Sequence, residues 1–162
     1  MDSTFLVSLA HLEGVHLVQL VDDLADLIGA DRDLDDPAVA RLTPSPYPDD
    51  ADAAKDFATS TRDEILDRRH HDAQTVGEAL REFRTDTESL PEGTALATRE
   101  IVIDSADVDA WMRTLTSLRL IIATRLGITS DDDHDPDDAR YGIYDWLGYR
   151  LELLIQAADE GG

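Results

Sequence analysis

Cysteine is absent from this chain of 162 residues. That absence removes disulfides, thiolate nucleophiles and zinc–thiolate centres together. Long apolar runs are missing too, and none approaches the roughly 18 residues that suggest a membrane span. Lysine occurs once, at Lys55, so the positive charge is carried by arginine. The first basic residue is Arg32, which leaves no charged n-region for a secretory signal. A cytoplasmic protein is the expectation. Also missing are a glycine-rich phosphate loop, a nucleophile elbow and a paired-histidine helix motif. The residues alone give no positive support for enzymatic activity.

What is present in excess is acid. There are 36 Asp and Glu against 14 Lys and Arg, a net charge of −22. Nucleic acid is bound mainly through Lys and Arg contacts to phosphate, so most of this surface repels it. Anionic membranes are disfavoured for the same reason. A basic protein partner would be steered toward it. Solubility alone is the plainer explanation of the charge.

The apolar pattern is mostly helical. Leu17, Leu20, Leu24, Leu27 and Ile28 recur at helical spacing, predicting a helix from about His11 to Ile28 closed by Gly29 as a left-handed cap. A rival reading extends that helix back to Ser3. His16 is placed at the core edge. Asp36 and Pro37 have the chemistry of a cap and a first helical turn. The short helix they start is ended by three prolines between positions 44 and 48. Residues 50 to 84 read as helical with a break near Thr59. Ser60 with Asp63, and Thr61 with Glu64, have capping-box spacing. Ile65, Leu66, Ala73, Val76, Leu80 and Phe83 form the stripe of that segment. His71 and Asp67, four apart, form a candidate surface hydrogen bond.

Two short strands are expected, at 4 to 9 ("TFLVSL") and 100 to 104 ("EIVID"), the latter for its three β-branched residues. They could pair as a ribbon lying on the helices. Asp104 or Ser105 then caps a helix to Leu126. Its stripe, Val108, Trp111, Leu115, Leu118, Ile122 and Leu126, steps by three or four, and Gly127 ends it. A final helix carries Ile143, Tyr144, Leu147, Leu151, Leu154 and Ala158 on one side. Trp111, Leu115, Leu118 and Ile122 should pack against Leu147, Leu151 and Leu154. The fold class is therefore mainly α: one domain over residues 1 to 162, about five helices, and at most a two-stranded β-ribbon.

Between those two helices lie six aspartates and His134 within residues 131 to 138. Asp135 caps the last helix, with Pro136, Asp137 and Asp138 in its first turn. Asp131, Asp132 and Asp133 fail the calcium-loop pattern. Counted from Asp131, the sixth and twelfth positions are Pro136 and Gly142; counted from Asp133 they are Asp138 and Tyr144. His134 has no sequence-local partner for a zinc site. These acids read as a solvated loop. With Asp49, Asp50 and Asp52 they form the candidate contact surface for a partner, since both groups lie beside loops. No cofactor or metal is assigned.

Four stretches, "DDPAVARLTPSPYPDDADAAKDF", "WMRTLTSLRLIIATRLGIT", the acidic "DDD" and "YDWLG", together resemble the actinobacterial oxidative-stress regulator (AosR) family, long catalogued as a family of unknown function. The similarity runs from about Phe5 to Leu154. The resemblance implies a small, largely helical cytoplasmic protein in the transcriptional response to oxidants, with binding to an RNA polymerase sigma factor as one route. Redox sensing in that family is attributed to cysteine pairs, which this chain lacks. It also has Thr116-Ser117 where members often carry Asn-Asp. The expectation is a non-enzymatic, protein-interaction module with a regulatory role and no thiol sensing. The alternative is a metal-assisted hydrolase built on gathered aspartates. A third is an oligomeric structural protein.

Overall fold

The computed structural model describes residues 4–43, 49–57, 61–84, 97–127 and 142–161. Strand β1 (Thr4–Ala10) runs directly into helix α1 (His11–Leu27), followed by α2 (Pro37–Leu42), α3 (Ala51–Phe57) and α4 (Asp63–Ala79). A 3₁₀ turn, Arg81–Phe83, follows α4. Strand β2 (Thr98–Asp104) leads through a second 3₁₀ turn, Ser105–Asp107, into α5 (Val108–Leu126), and α6 is Gly142–Gly161. The fold is mainly α with one short antiparallel ribbon, as the sequence predicted.

The ribbon pairs Thr4 with Asp104 through to Ala10 with Thr98. Alternation along a strand sends Leu9, Ile101 and Ile103 inward, all buried, while Leu6 and Val102 lie opposite each other on the outer face. The ribbon sits at the start of α1 and is stitched there by His11 N donating to Ala97 O at 2.9 Å.

Helix α5 is central. It packs on α6, α4 and α2, and α1 packs on α4. Trp111, Leu115 and Leu118 are buried in one core with Leu147 and Leu154, and Ile122 and Leu151 pack at its margin. The expected α5–α6 pairing is therefore present. So are the stripe Leu66, Ala73, Val76, Leu80 and Phe83 and the α1 residues Leu17, Leu24 and Ile28. The segment expected to break near Thr59 is two helices, α3 and α4, which makes six helices among the described residues.

Several helix ends differ from expectation. Gly127 does adopt the left-handed cap, at φ 75°. Gly29 does not, since Gly127 is the one described glycine with positive φ. The end of α1 is closed by a nearby side chain instead: Arg32 Nη1 donates to Ile28 O at 3.2 Å. Asp36 caps α2 as predicted, accepting from Ala38 N at 2.9 Å. Asp104 and Ser105 do not cap α5, because the chain enters that helix through the 3₁₀ turn. Helix α4 starts at Asp63 behind Arg62, with no side-chain cap on that residue, so the Thr61–Glu64 box does not define its start; Ser60 lies outside the described residues. The Asp135 cap also lies outside them.

Candidate functional site

The acids singled out for a partner fall in two places. Asp49, Asp50 and Asp52 are exposed at the start of α3. Asp50 has a structural task there, since its Oδ1 accepts from Ala53 N at 3.0 Å. Asp52 sits in the first turn, where the positive helix end favours it. Asp131, Asp132, Asp133 and His134 lie outside the described residues. Among the described residues no group of three His, Cys, Asp or Glu could hold a metal.

One heavily bonded polar cluster was missed by sequence reading. Glu13, in the first turn of α1, accepts from Ala10 N on Oε1 at 3.1 Å. Its Oε2 accepts from Trp146 Nε1 at 2.6 Å and from Arg150 Nη2 at 2.8 Å. Arg150 also donates from Nη1 to Ser8 O, at 3.2 Å, and its guanidinium lies 5.9 Å from the Trp146 ring. One carboxylate thus ties together β1, α1 and α6. Burial pushes the Glu13 carboxyl up, but the hydrogen bonds from Arg150, Trp146 and Ala10 outweigh it, and the net shift is down. A carboxylate held ionised by three donors is a poor proton acceptor at neutral pH. Its role is a tie, and its partners lie too far along the sequence for spacing to reveal them.

Every other arginine among the described residues is also engaged within the chain. Arg125 forks onto both Asp36 oxygens, at 2.9 and 2.7 Å, joining the end of α5 to the start of α2. Arg113 grips the buried Asp72 through Nε at 2.9 Å and Nη2 at 3.2 Å. Arg32 reaches Asp63 and Asp67, so Asp67 bonds across to the end of α1 and not to His71 as anticipated. Arg119 lies 4.1 Å from the Tyr144 ring centroid and donates to Tyr144 O at 3.3 Å. Arg84 pairs with Asp22, Arg99 with Glu82, Arg81 with Glu78, Arg68 with Glu64 and Arg69 with Asp72. Arg41 and Arg62 donate to Thr124 and Thr43 hydroxyls. His16 is exposed and not at the core edge, whereas His11 is buried against Phe83, with ring centroids 5.5 Å apart.

The exposed large apolar side chains fall on three elements, the ribbon and two helices. Among the described residues they are Leu6 and Val102 on the ribbon, Leu12 in the first turn of α1, and Ile143, Tyr149, Leu153 and Ile155 on α6. Ile143, expected in the inward stripe, is 49% exposed. Helix α6 therefore has more apolar surface than its partners cover. A cavity of about 230 Å³ opens between β1 and α6, with Leu6, Leu153 and Arg150 in its wall. A second, of about 480 Å³, lies between α1 and α6 beside Leu20, Ile143 and Trp146, with Glu13 and Asp23 at its rim.

A family model described as "Domain of unknown function (DUF2017)" matches residues 2–158, and the chain belongs to that family. No curated protein and no solved structure matches it. No helix among the described residues is long and apolar enough to cross a membrane.

Proposed function

We propose that this protein is a non-enzymatic regulatory module that acts by binding a basic protein partner. The resemblance noted in its sequence supports an RNA polymerase sigma factor as one such partner and a transcriptional stress response as the setting, without thiol sensing. The observation that carries this reading is the disposition of charge. The described arginines are all engaged by groups of the same chain, while acids exceed bases by 22. Few cations are left to meet phosphate, and much acid is left to meet an external cation. Asp49, Asp50 and Asp52, together with Asp131, Asp132 and Asp133, supply part of the field that steers such a partner.

The test is a mobility shift with promoter DNA beside a pull-down with purified RNA polymerase and sigma factors, each at two salt concentrations. The expected result is no DNA shift at ~0.15 M salt, where electrostatic contacts supply most non-specific affinity. The pull-down should succeed and weaken as salt rises, because complementary charge is screened. A sequence-specific DNA shift by this protein alone overturns the reading. So does a purified polymerase–sigma set from which nothing is retained at either salt.

A further inference from the structure

The outer face of the β-ribbon and the side of α6 that carries Tyr149 and Leu153, four residues apart, have no covering element among the described residues. Leu6 and Val102 are 63% and 58% exposed and directly opposed across the ribbon. They are not a consequence of strand alternation, which asks for polar residues on a solvated face. Leu6 and Leu153 line the same cavity, so the ribbon face continues onto α6. Exposed apolar side chains that gather in one region mark an interaction surface, whereas scattered ones need no explanation.

The charges around that face select its occupant: Arg150, in the wall of the cavity between Leu6 and Leu153, is paired with Glu13 and Ser8 O, which leaves acids. Glu100 and Asp104 share the outer side of β2 with Val102, and both are exposed. The one arginine on β2, Arg99, is directed to Glu82 and lies 6.0 Å from the Phe83 ring centroid. A second copy of this chain would bring the same acids, and another net −22, against the face. Anionic lipid is repelled likewise.

We infer that this face docks a basic amphipathic helix of a partner protein, its apolar stripe on Leu6, Val102 and Leu153 and its Lys or Arg side chains reaching Glu100 and Asp104. This rests on the regulatory-module reading and gives it a location and a partner chemistry. Helix-in-groove recognition works in this manner, with apolar anchors at helical spacing providing contact and flanking charges setting orientation. The candidate acids at the start of α3 would then steer encounter without forming the contact.

The experiment titrates the full chain into a fluorescent leucine–lysine helical peptide of about 14 residues, read by anisotropy. A peptide with glutamate in place of lysine is the control. Leu6→Thr with Val102→Thr keeps strand-forming residues while removing the apolar contact. Leu153→Gln tests the α6 side independently, and circular dichroism confirms that each variant folds. Each of these variants should weaken lysine-peptide binding by about tenfold or more, a difference of ~1.4 kcal/mol. Glu100→Lys with Asp104→Lys should weaken it as strongly. Asp49→Lys with Asp52→Lys should change it by less than about threefold. Equal binding of the glutamate peptide overturns the inference. So does binding that survives the ribbon and α6 variants but is lost on reversal at α3. A wild-type dimer that the Leu6 and Val102 substitutions convert to monomer also overturns it, assigning the face to self-association. If the pull-down partner is retained by all of these variants, the docking face is wrong and the regulatory reading stands. If no partner is retained by the wild type, that reading fails first.

Discussion

Substituting Gly14 by alanine sets two effects of opposite sign against each other. In a helix interior alanine is favoured over glycine by about 1 kcal/mol. Propensity alone therefore predicts that Gly14→Ala stabilises α1. The packing says otherwise. Gly14 is buried beside Phe83, itself 1% exposed. A Cβ at Gly14 would lie 2.5 Å from Phe83 Cγ, and closer still to Cδ1 and Cε1. Optimal carbon–carbon separation is about 3.5–4.0 Å. Spinning the ring cannot relieve the overlap, because Cγ lies on the axis of that rotation. The whole side chain must retreat, and His11 packs beside it. Overpacking of this kind costs about 1–3 kcal/mol or more. The clash should outweigh the propensity gain and leave a net loss of up to about 2 kcal/mol.

Urea unfolding followed by the fluorescence of Trp111 and Trp146 measures it, with far-ultraviolet circular dichroism to check for a single transition. The midpoint should fall with little change in slope. The melting temperature should drop by up to about 8 °C, at 2–4 °C per kcal/mol for a chain of this size. The decisive measurement is the same substitution in a Phe83→Leu background. The smaller side chain leaves room for the new methyl group, so Gly14→Ala should there be neutral or stabilising. The coupling energy should exceed about 1 kcal/mol, within the range for residues in direct contact. A stabilised single variant, or a coupling near zero, would refute the close approach of Phe83 to α1.

Leu118→Ala should cost about 2–5 kcal/mol in the same assay, because Leu118 is buried in the α5–α6 core, and a cost under ~1 kcal/mol would mean that α5 does not face α6. Asp36→Ala removes the α2 cap and should cost roughly 1 kcal/mol, while Asp36→Asn, which still caps, should cost less; equal losses would show that the Arg125 pair outweighs the cap. The acid limb of stability provides a further check. The Glu13 carboxyl is raised by burial but lowered on balance by its donors, so it binds fewer protons folded than unfolded at mildly acid pH. Its contribution is present above the ordinary value of 4.5 and is lost as pH falls through the depressed folded value. Asp36, held down by Arg125 and the Ala38 N–H, acts in the same direction below 3.8. Glu13→Gln should therefore flatten the stability profile below about pH 5, and an unchanged slope in urea titrations at stepped pH would rule out the tie.

Local chemistry was readable where it decides structure locally. "EIVID" announced a strand, Asp36-Pro37 a helix start and Gly127 a helix end, because each rests on neighbours within one turn. The three-and-four stepping of α5 identified its buried face for the same reason. Distant partners were hidden. Glu13 meets Trp146 and Arg150 across 133 and 137 residues, and no spacing rule predicts such a meeting. Gly29 had the residue type of a left-handed cap, but the side chain of Arg32, only four residues past Ile28, bonds the last carbonyl instead, a local solution that residue type alone does not choose between. One signal was present and unused. "IYDWLGYRLELLIQAA" has more apolar residues than a single inward stripe can hold. Tyr144, Leu147, Leu151 and Leu154 fill that stripe, so Ile143, Tyr149, Leu153 and Ile155 had to fall elsewhere.

Three of the four stretches on which the resemblance rests meet one another in space. "DDP" and "TRLG" join as Asp36 and Arg125. "SLR" and "YDWLG" join as Arg119 lies on the Tyr144 ring. Its guanidinium also passes so close to Gly148 that a Cβ there would come within 3.0 Å of Cζ. "YDWLG" closes on α1 as Trp146 donates to Glu13. A signature made of mutual ties specifies an architecture, and it would be the same whatever the protein binds. The residues that choose a partner are then to be sought where no tie holds them. For this fold that place is the outer face of the ribbon and the far side of α6, where apolar side chains stand in solvent within a field of unmatched acid.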